Sequence, residues 1–317
     1  MRIDPDQTAY NARLARLSGE VGTPFDPGIS LERTREIVEA MQKEIAAGGA
    51  VIRNTLDVAK GERNAPVKLK LYDDRQNPAG RAPALIYIHG GGFCVNSIDT
   101  HDCLHREYAH RLGWLVVAPD YRKAPENPFP AAIEDVAATV AWVRDNSEEL
   151  GVDSEFLFIA GDSAGGNLAL TVPLWMADRG GPPFKGSIVN YGVLDCDLAT
   201  PSHRRFGTGP YLLSSAAIAQ FAEWYTSGKV PIADPLVCPL KADLRRLPPV
   251  HICTGEIDVL ASENIRLYDG LVQAGGDCEL HVFSGLMHGF IRIPHLIKRA
   301  NDALALQVQW LQALAME

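Results

Sequence analysis

Short apolar runs alternate with longer segments of helical period along most of this chain. The later runs are almost continuously apolar, which is typical of strands that are covered on both faces. Strands and helices in alternation predict βαβ units and a mainly parallel sheet. The strands of this kind lie at 84–88, 114–118, 155–160, 186–191, 250–254 and 279–283. The helices between and after them lie at 100–112, 131–146, 163–178, 262–274 and 295–315.

Two earlier runs have a different pattern. Residues 50–58 and 67–72 alternate apolar with polar positions, and Gly61 and Asn64 supply turn residues between them. This alternation is typical of an antiparallel pair of strands with one face in solvent. With this pair the sheet has eight strands, and we predict an α/β fold in which a mostly parallel sheet is flanked by helices.

Two segments do not follow this alternation. Residues 1–50 contain an amphipathic helix that Ser30 caps and that a pair of glycines at 48–49 ends. Residues 195–237 form a long insertion between two strands, with a helix of their own near 214–225. Loops this long are usually functional. We therefore predict that both segments fold over the strand ends as a helical cap on a catalytic domain at 51–317; the alternative is a structural extension.

Composition and charge exclude several classes of function. About half of the residues are apolar and a fifth are charged, as in ordinary soluble globular proteins. The formal net charge is −9 and the basic residues are not clustered, which argues against nucleic-acid binding and against anionic membranes. The start of the chain is polar, and no stretch approaches the roughly 18 apolar residues of a membrane span. We predict a cytoplasmic protein with neither nucleic acid nor membrane as a partner.

The six cysteines are scattered and have no Cys-x-x-Cys spacing, so we interpret them as reduced thiols. A zinc site is conceivable around His101, Cys103 and His105, because histidines four residues apart share one face of a helix. No further ligand cluster lies nearby in the sequence. We predict no metal, and ordinary polar residues on a helix.

The most specific motif is Gly161-Asp162-Ser163-Ala164-Gly165, which follows one predicted strand and opens the next predicted helix. It has the form Gly-x-Ser-x-Gly in the strand–turn–helix context that this motif requires. Glycines flank the serine because the turn is very tight, and the hydroxyl is left exposed in a strained position. We therefore predict that Ser163 is a nucleophile; the alternative is an ordinary serine N-cap.

A serine hydroxyl needs a base to take its proton, and the base needs a carboxylate to orient it. In proteins with this motif the three residues follow the chain order Ser, Asp or Glu, His. This order predicts His288, just after the last strand, and Asp258, just after the strand at 250–254. The rival candidates are His281 inside the last strand, His295 at a helix start, and Glu256 beside the aspartate.

An oxyanion formed during acyl transfer needs preorganised donors. The run His89-Gly90-Gly91-Gly92 directly follows the strand at 84–88, and bare glycine amides can approach a reacting carbonyl closely. We predict an oxyanion hole from the amides of Gly91 and Gly92, with that of Ala164 as a third donor. The alternatives are a flexible turn or a phosphate loop, but the run has no Gly-Lys-Ser/Thr ending and lacks the spacing of a dinucleotide fingerprint.

These residues resemble the hormone-sensitive-lipase family of esterases, also called bacterial family IV, within the α/β-hydrolase superfamily. The similarity extends from about residue 82 to the end of the chain. Besides the two glycine-containing motifs above, it is carried by Asp120-Tyr121-Arg122-Lys123-Ala124-Pro125-Glu126, Phe129-Pro130-Ala131-Ala132 and His288-Gly289-Phe290. The resemblance implies an α/β-hydrolase fold with a helical cap, the same triad and oxyanion hole, short-to-medium acyl esters as substrates, no metal and frequent homodimers.

Four positions depart from the family. Lys123, Gly192 and Cys238 stand where leucine, proline and serine are common, and Val259 stands where proline is common. None belongs to the predicted triad, so these departures bear on the shape of the pocket rather than on the reaction.

Together these features predict a serine carboxylic-ester hydrolase that works by two-step acyl transfer without a cofactor. Its partner would be a small-molecule ester. An amidase, lactonase or carbamate hydrolase with the same triad is the main alternative, and a non-catalytic binding relative of the fold is another.

Overall fold

The structure is a computed structural model that describes residues 2–21, 29–78, 80–231 and 233–317. Its centre is one sheet, whose strands are β1 Asn54–Val58, β2 Leu69–Asp73, β3 Ala82–Ile88, β4 Leu115–Pro119, β5 Val152–Asp162, β6 Gly186–Asn190, β7 Val250–Ile257 and β8 Cys278–Met287. They lie in the order β1-β2-β4-β3-β5-β6-β7-β8. The β1–β2 and β2–β4 pairs are antiparallel and all later pairs are parallel. The predicted eight-stranded, mostly parallel sheet is confirmed.

Helices flank the sheet and extend beyond it. They are α1 Pro5–Val21, α2 Leu31–Ile45, α3 Asp102–Leu112, α4 Ala131–Asp145, α5 Ser147–Leu150, α6 Ala164–Ala177, α7 Pro201–Phe206, α8 Ser215–Thr226, α9 Ala261–Ala274 and α10 Lys298–Leu314. A short 3-10 helix at Phe290–Arg292 follows β8 and bears on the site described below. No helix within the described ranges combines the length and apolar character needed to cross a bilayer.

The central strands are apolar at almost every position because both of their faces are covered. In β3, Leu85 and Tyr87 point into a core that includes residues of α3 and α10. Their neighbours Ala84, Ile86 and Ile88 point into a second core, which includes residues of α4 and α6. Side chains of a strand alternate between its faces, so an uninterrupted apolar run serves both cores at once.

In residues 2–21 and 29–50 the structure contains two helices where the sequence pattern predicted one. Helix α2 has the predicted cap, since the Ser30 hydroxyl accepts the amide of Arg33 at 3.1 Å. Helix α1 was missed because its apolar stripe is narrow and consists of Tyr10, Leu14, Leu17 and Val21, which pack in the first core. Its polar Gln7 is buried, and the side-chain carbonyl of Gln7 accepts the amide of Met287 at 3.1 Å. A signal for α1 existed in Asp4 before Pro5, since the Asp4 carboxylate accepts the Asp6 amide at 2.8 Å.

The insertion at 195–237 contains the predicted helix, α8, and also the short α7. At its start, the buried Glu263 of α9 accepts the amides of Leu194 and Asp195 at 2.6 and 2.5 Å. At the end of α8, the Tyr225 ring stacks on Phe93 with 3.7 Å between ring centroids. The insertion is therefore held against both α9 and the loop that follows β3.

Candidate active site

Ser163 lies in the sharp turn between β5 and α6, at the carboxyl end of the sheet. Its backbone has φ 56° and ψ −117°, an unfavourable combination for a residue with a side chain. A Cβ on Gly161 would lie 2.3 Å from Gly165, and a Cβ on Gly165 would lie 2.0 Å from the carbonyl oxygen of Ile88. Only glycine fits at these two positions, which is why the predicted motif has glycine on both sides of the serine.

Three distant segments of the chain meet at this serine. The Nε2 atom of His288 is 3.0 Å from Ser163 Oγ, and its Nδ1 atom is 2.9 Å from Asp258 Oδ2. A carboxylate can only accept, so Nδ1 carries the proton and Nε2 presents its lone pair to the hydroxyl. This is the arrangement that a general base needs in order to take the serine proton.

The aspartate is itself held in place. It is buried, and its second carboxylate oxygen, Oδ1, accepts the amide of Leu260 at 2.9 Å. The His288 ring also packs on Tyr191, with 4.7 Å between ring centroids. Both partners of Ser163 are thus fixed by the surrounding structure.

The rival candidates lie elsewhere. The Glu256 carboxylate accepts the amide of Gly285 at 3.0 Å, and His281 lies beside Glu279 on β8. The ring of His295 lies 3.3 Å from the sulfur of Cys103. None of these three side chains hydrogen-bonds to the Ser163 hydroxyl or to His288.

The glycine loop after β3 borders the same space. Gly91 and Gly92 have φ of 126° and 56°, which favour glycine. A Cβ on Gly91 would lie 2.2 Å from the carbonyl oxygen of Val95, and one on Gly92 would lie 2.3 Å from the Phe221 ring. Ala164 is the first residue of α6, so its amide is one of the N-terminal donors that a helix leaves without an internal acceptor. Gly91 and Gly92 line the larger cavity together with Ser163, and Ala164 follows Ser163 in the chain. The role of the three amides as oxyanion donors stays a prediction.

Asp162 and His89 hold this loop in shape. The Asp162 carboxylate accepts the amide of Gly90 at 3.1 Å and the hydroxyl of Tyr87 at 3.2 Å. Burial alone would raise the pKa of Asp162, but the neighbouring His101 and Arg292 side chains and the hydrogen bond from the Gly90 amide hold that pKa below its usual range. The His89 ring stacks on Tyr121, with 4.4 Å between ring centroids. Both residues act on the loop and not on the serine directly.

The conceivable zinc ligands are not brought together. His101 Nε2 lies 3.1 Å from the Asp162 carboxylate, whereas the sulfur of Cys103 faces His295. The His105 ring is buried and packs on Tyr72 and Tyr87. Within the described ranges, a set of three ligand atoms within 4.8 Å of one another belongs to His251, Glu279 and His281, on β7 and β8 and outside the space around Ser163.

Two cavities meet at Ser163. The smaller, of about 290 Å³, is lined by apolar side chains of α8 and by the ends of the 195–237 insertion. The larger, of about 560 Å³, lies between α1, α2, the glycine loop and His288. Phe221, Leu213 and Gly92 border both cavities. Sequence reasoning did not single out Arg292, which lines the larger cavity and whose only signal is its position soon after His288.

Comparison with known proteins agrees with this geometry. Residues 85–292 match the model of the alpha/beta hydrolase fold family. The chain is 33% identical to ethyl acetate hydrolase from Pseudomonas putida, over 98% of this chain and 99% of that protein. It is 36% identical to carboxylesterase NlhH from Mycobacterium tuberculosis, over 70% of each chain. The structure superposes on a hyperthermophilic esterase from the archaeon Pyrobaculum calidifontis with a TM-score of 0.89 and 30% identity, over 100% of both chains.

Proposed function

Since the chain belongs to the alpha/beta hydrolase fold family and is a carboxylic-ester hydrolase of the hormone-sensitive-lipase-like kind, we propose that it cleaves short-to-medium acyl esters through an acyl-enzyme on Ser163. The observation that carries the proposal is the continuous contact from Asp258 through His288 to the Ser163 hydroxyl, with spacings of 2.9 and 3.0 Å. The Ser163 hydroxyl lies where two cavities meet, and each cavity is large enough for one half of an ester.

In the first step, Ser163 Oγ attacks the ester carbonyl carbon while His288 Nε2 takes the hydroxyl proton. Asp258 stabilises the imidazolium that results. The carbonyl oxygen becomes an oxyanion, which accepts hydrogen bonds from the amides of Gly91, Gly92 and Ala164. The carbon–oxygen bond to the alcohol then breaks, and His288 returns the proton to the departing alcohol.

In the second step, His288 takes a proton from a water molecule, which attacks the acyl-enzyme carbonyl. The second tetrahedral intermediate uses the same oxyanion donors. It breaks down to the free acid, and the proton returns to Ser163. Every proton transfer in this scheme uses His288, so no cofactor is needed.

The cap and the preference for acyl size are part of the proposal. Helices α1 and α2 line the larger cavity and α8 lines the smaller one, which supports a cap built from residues 1–50 and 195–237. The smaller cavity, at about 290 Å³, lies at the low end of the range for small-molecule sites. Its size supports short-to-medium acyl groups, and the Pseudomonas putida relative is named for ethyl acetate, a short ester. The homodimer and the cytoplasmic location stay predictions.

A panel of p-nitrophenyl esters of increasing acyl length, hydrolysed by wild type and Ser163→Ala in parallel, tests the proposal. We expect Ser163→Ala to lose hydrolysis and labelling by a fluorophosphonate probe, and wild type to prefer the shorter acyl groups. Retention of activity by Ser163→Ala would contradict the assignment of the nucleophile. A preference for long chains would contradict the assignment of acyl size. Amide and lactone substrates in the same panel separate the related hydrolases.

A further inference from the structure

The larger cavity contains a cation that a site for neutral esters does not need. Its described lining is mostly apolar or uncharged, and the two ionised side chains that border it are Asp162 and Arg292. Asp162 is already occupied, because its oxygens accept bonds from Gly90, Tyr87 and His101. Arg292 is therefore the charged group that the cavity can offer to a ligand.

Arg292 is placed next to the proposed catalytic machinery. It ends the 3-10 helix Phe290–Arg292, which directly follows His288 and Gly289. A Cβ on Gly289 would lie 3.2 Å from Arg292 Nη2, so the guanidinium packs against the residue that follows the proposed base. The guanidinium thus forms the cavity wall beside His288.

The protein does not neutralise this cation by direct contact. The ion pairs of the described residues do not include Arg292, whose side chain lies beside that of Tyr10. Burial lowers the pKa of Arg292, but the nearby Tyr10 and Asp162 outweigh burial and raise it above its usual value. The side chain is charged at any working pH, and its planar fork of donors is suited to a carboxylate.

The charge of the whole chain strengthens this argument. With a formal net charge of −9, the protein repels anions at long range. A cation inside the cavity therefore attracts an anion mainly by direct contact at short range. Neutral esters would gain nothing comparable from the guanidinium.

We propose that Arg292 is a specificity-determining residue that binds a carboxylate carried by the substrate, so that the enzyme favours esters bearing a free carboxylate over their neutral counterparts. This inference rests on the proposed function, since it concerns the same site. It adds a class of substrate that the triad alone does not specify.

The test compares esters that differ only in the charged group. One pair places the carboxylate on the acyl side: p-nitrophenyl hydrogen adipate against p-nitrophenyl hexanoate. The other pair places it on the alcohol side: meta-acetoxybenzoate against meta-tolyl acetate. For each pair the readout is the ratio of the two kcat/KM values, after subtraction of uncatalysed hydrolysis, in wild type and in Arg292→Met, Arg292→Gln and Arg292→Lys.

We expect Arg292→Met to lower this ratio about tenfold or more in at least one pair, which is the usual worth of a charge-assisted hydrogen bond. The loss should appear mainly in KM, because binding a remote carboxylate stabilises ground state and transition state alike. Arg292→Lys keeps the charge without the fork and should retain part of the preference. The matched control is Arg16→Met on the exposed side of α1, which should leave both ratios unchanged.

If kcat/KM falls equally for charged and neutral esters, so that both ratios stay unchanged, the inference is overturned. Arg292 would then have only a structural role beside Tyr10. Arg292→Gln keeps a polar side chain next to Tyr10, so it decides the question if Arg292→Met does not fold. Failure of the proposed function would look different: wild type would hydrolyse none of these esters, or Ser163→Ala would remain active.

Discussion

The substitution Asp258→Asn tests the proposed mechanism most sharply, because it removes a charge and keeps the shape of the side chain. Asp258 uses its two oxygens separately. One accepts the Leu260 amide at 2.9 Å, and the other faces His288 Nδ1 at 2.9 Å. A carboxamide has one acceptor and one donor group, so it cannot serve both neighbours as the carboxylate does.

The structure decides which way the asparagine points. The Leu260 amide is a fixed donor in a buried turn, so the carboxamide oxygen must face it to avoid two donors in contact. The carboxamide nitrogen then faces His288 Nδ1 and donates to it. The imidazole is forced into the tautomer that carries its proton on Nε2, and this nitrogen no longer accepts the proton of Ser163.

A serine enzyme whose histidine is held in the wrong tautomer loses about 10⁴-fold in kcat. This factor corresponds to about 5 kcal/mol of transition-state stabilisation. We expect a loss of this size in Asp258→Asn. Folding should be affected much less, because the asparagine keeps the hydrogen bond to Leu260 and fills the same volume.

The assay is the kcat for a short p-nitrophenyl ester, measured with the thermal unfolding midpoint of each variant. The matched control is Glu256→Gln, which changes the rival carboxylate that accepts the Gly285 amide. This control should keep most of the wild-type kcat. If Asp258→Asn stays within about tenfold of wild type, or if Glu256→Gln loses as much, the reasoning about the tautomer is refuted.

Three further predictions concern stability, and each is measured as the free energy of unfolding in urea. Gly165→Ala should lower the free energy of unfolding by about 3 kcal/mol or more, because its Cβ would lie 2.0 Å from Ile88 O. In α1, a Cβ on Gly19 meets nothing within 4 Å, so Gly19→Ala should raise the free energy of unfolding by about 1 kcal/mol. Equal effects of the two substitutions would contradict the contact argument. Ser30→Ala removes the acceptor of the Arg33 amide and should lower the free energy of unfolding by about 1 kcal/mol. An unchanged free energy of unfolding would show that this cap does not stabilise α2. Burial, with a contribution from His281, lowers the pKa of His251 to about 3 from 6.5. The unfolded chain then binds the proton first, so stability should fall as the pH drops from about 6.5 toward 3, and His251→Gln should reduce that slope.

Most of the architecture follows from local patterns. Continuous apolar runs, helical periods and turn residues located all eight strands and most of the helices, because each pattern reflects the two faces that an element must cover. Helix α1 escaped because its apolar stripe is narrow, and because part of its packing comes from polar contacts such as that of Gln7, which periodicity does not report. The first strand also begins later than its pattern predicted, at Asn54.

The candidate site divides in the same way. The environment of Ser163 was readable because the strand, the glycines and the helix that shape the turn are neighbours in sequence. The roles of His101 and Arg292 could not be predicted from the sequence. His101 acts through its contact with Asp162, which is distant in the chain, and Arg292 through its place in the wall of the larger cavity. Neither residue has a sequence neighbour that reveals such a contact.

Local sequence was thus sufficient for the order of strands and helices and for the turn that exposes a serine, since both depend on residues a few positions apart. It could only propose partners for that serine. The contact between Ser163 and His288 joins residues 125 positions apart, and that between His288 and Asp258 joins residues 30 apart. Contacts of this kind form when parallel strands bring their carboxyl ends to one edge of a sheet, and only the folded chain decides which side chains meet there.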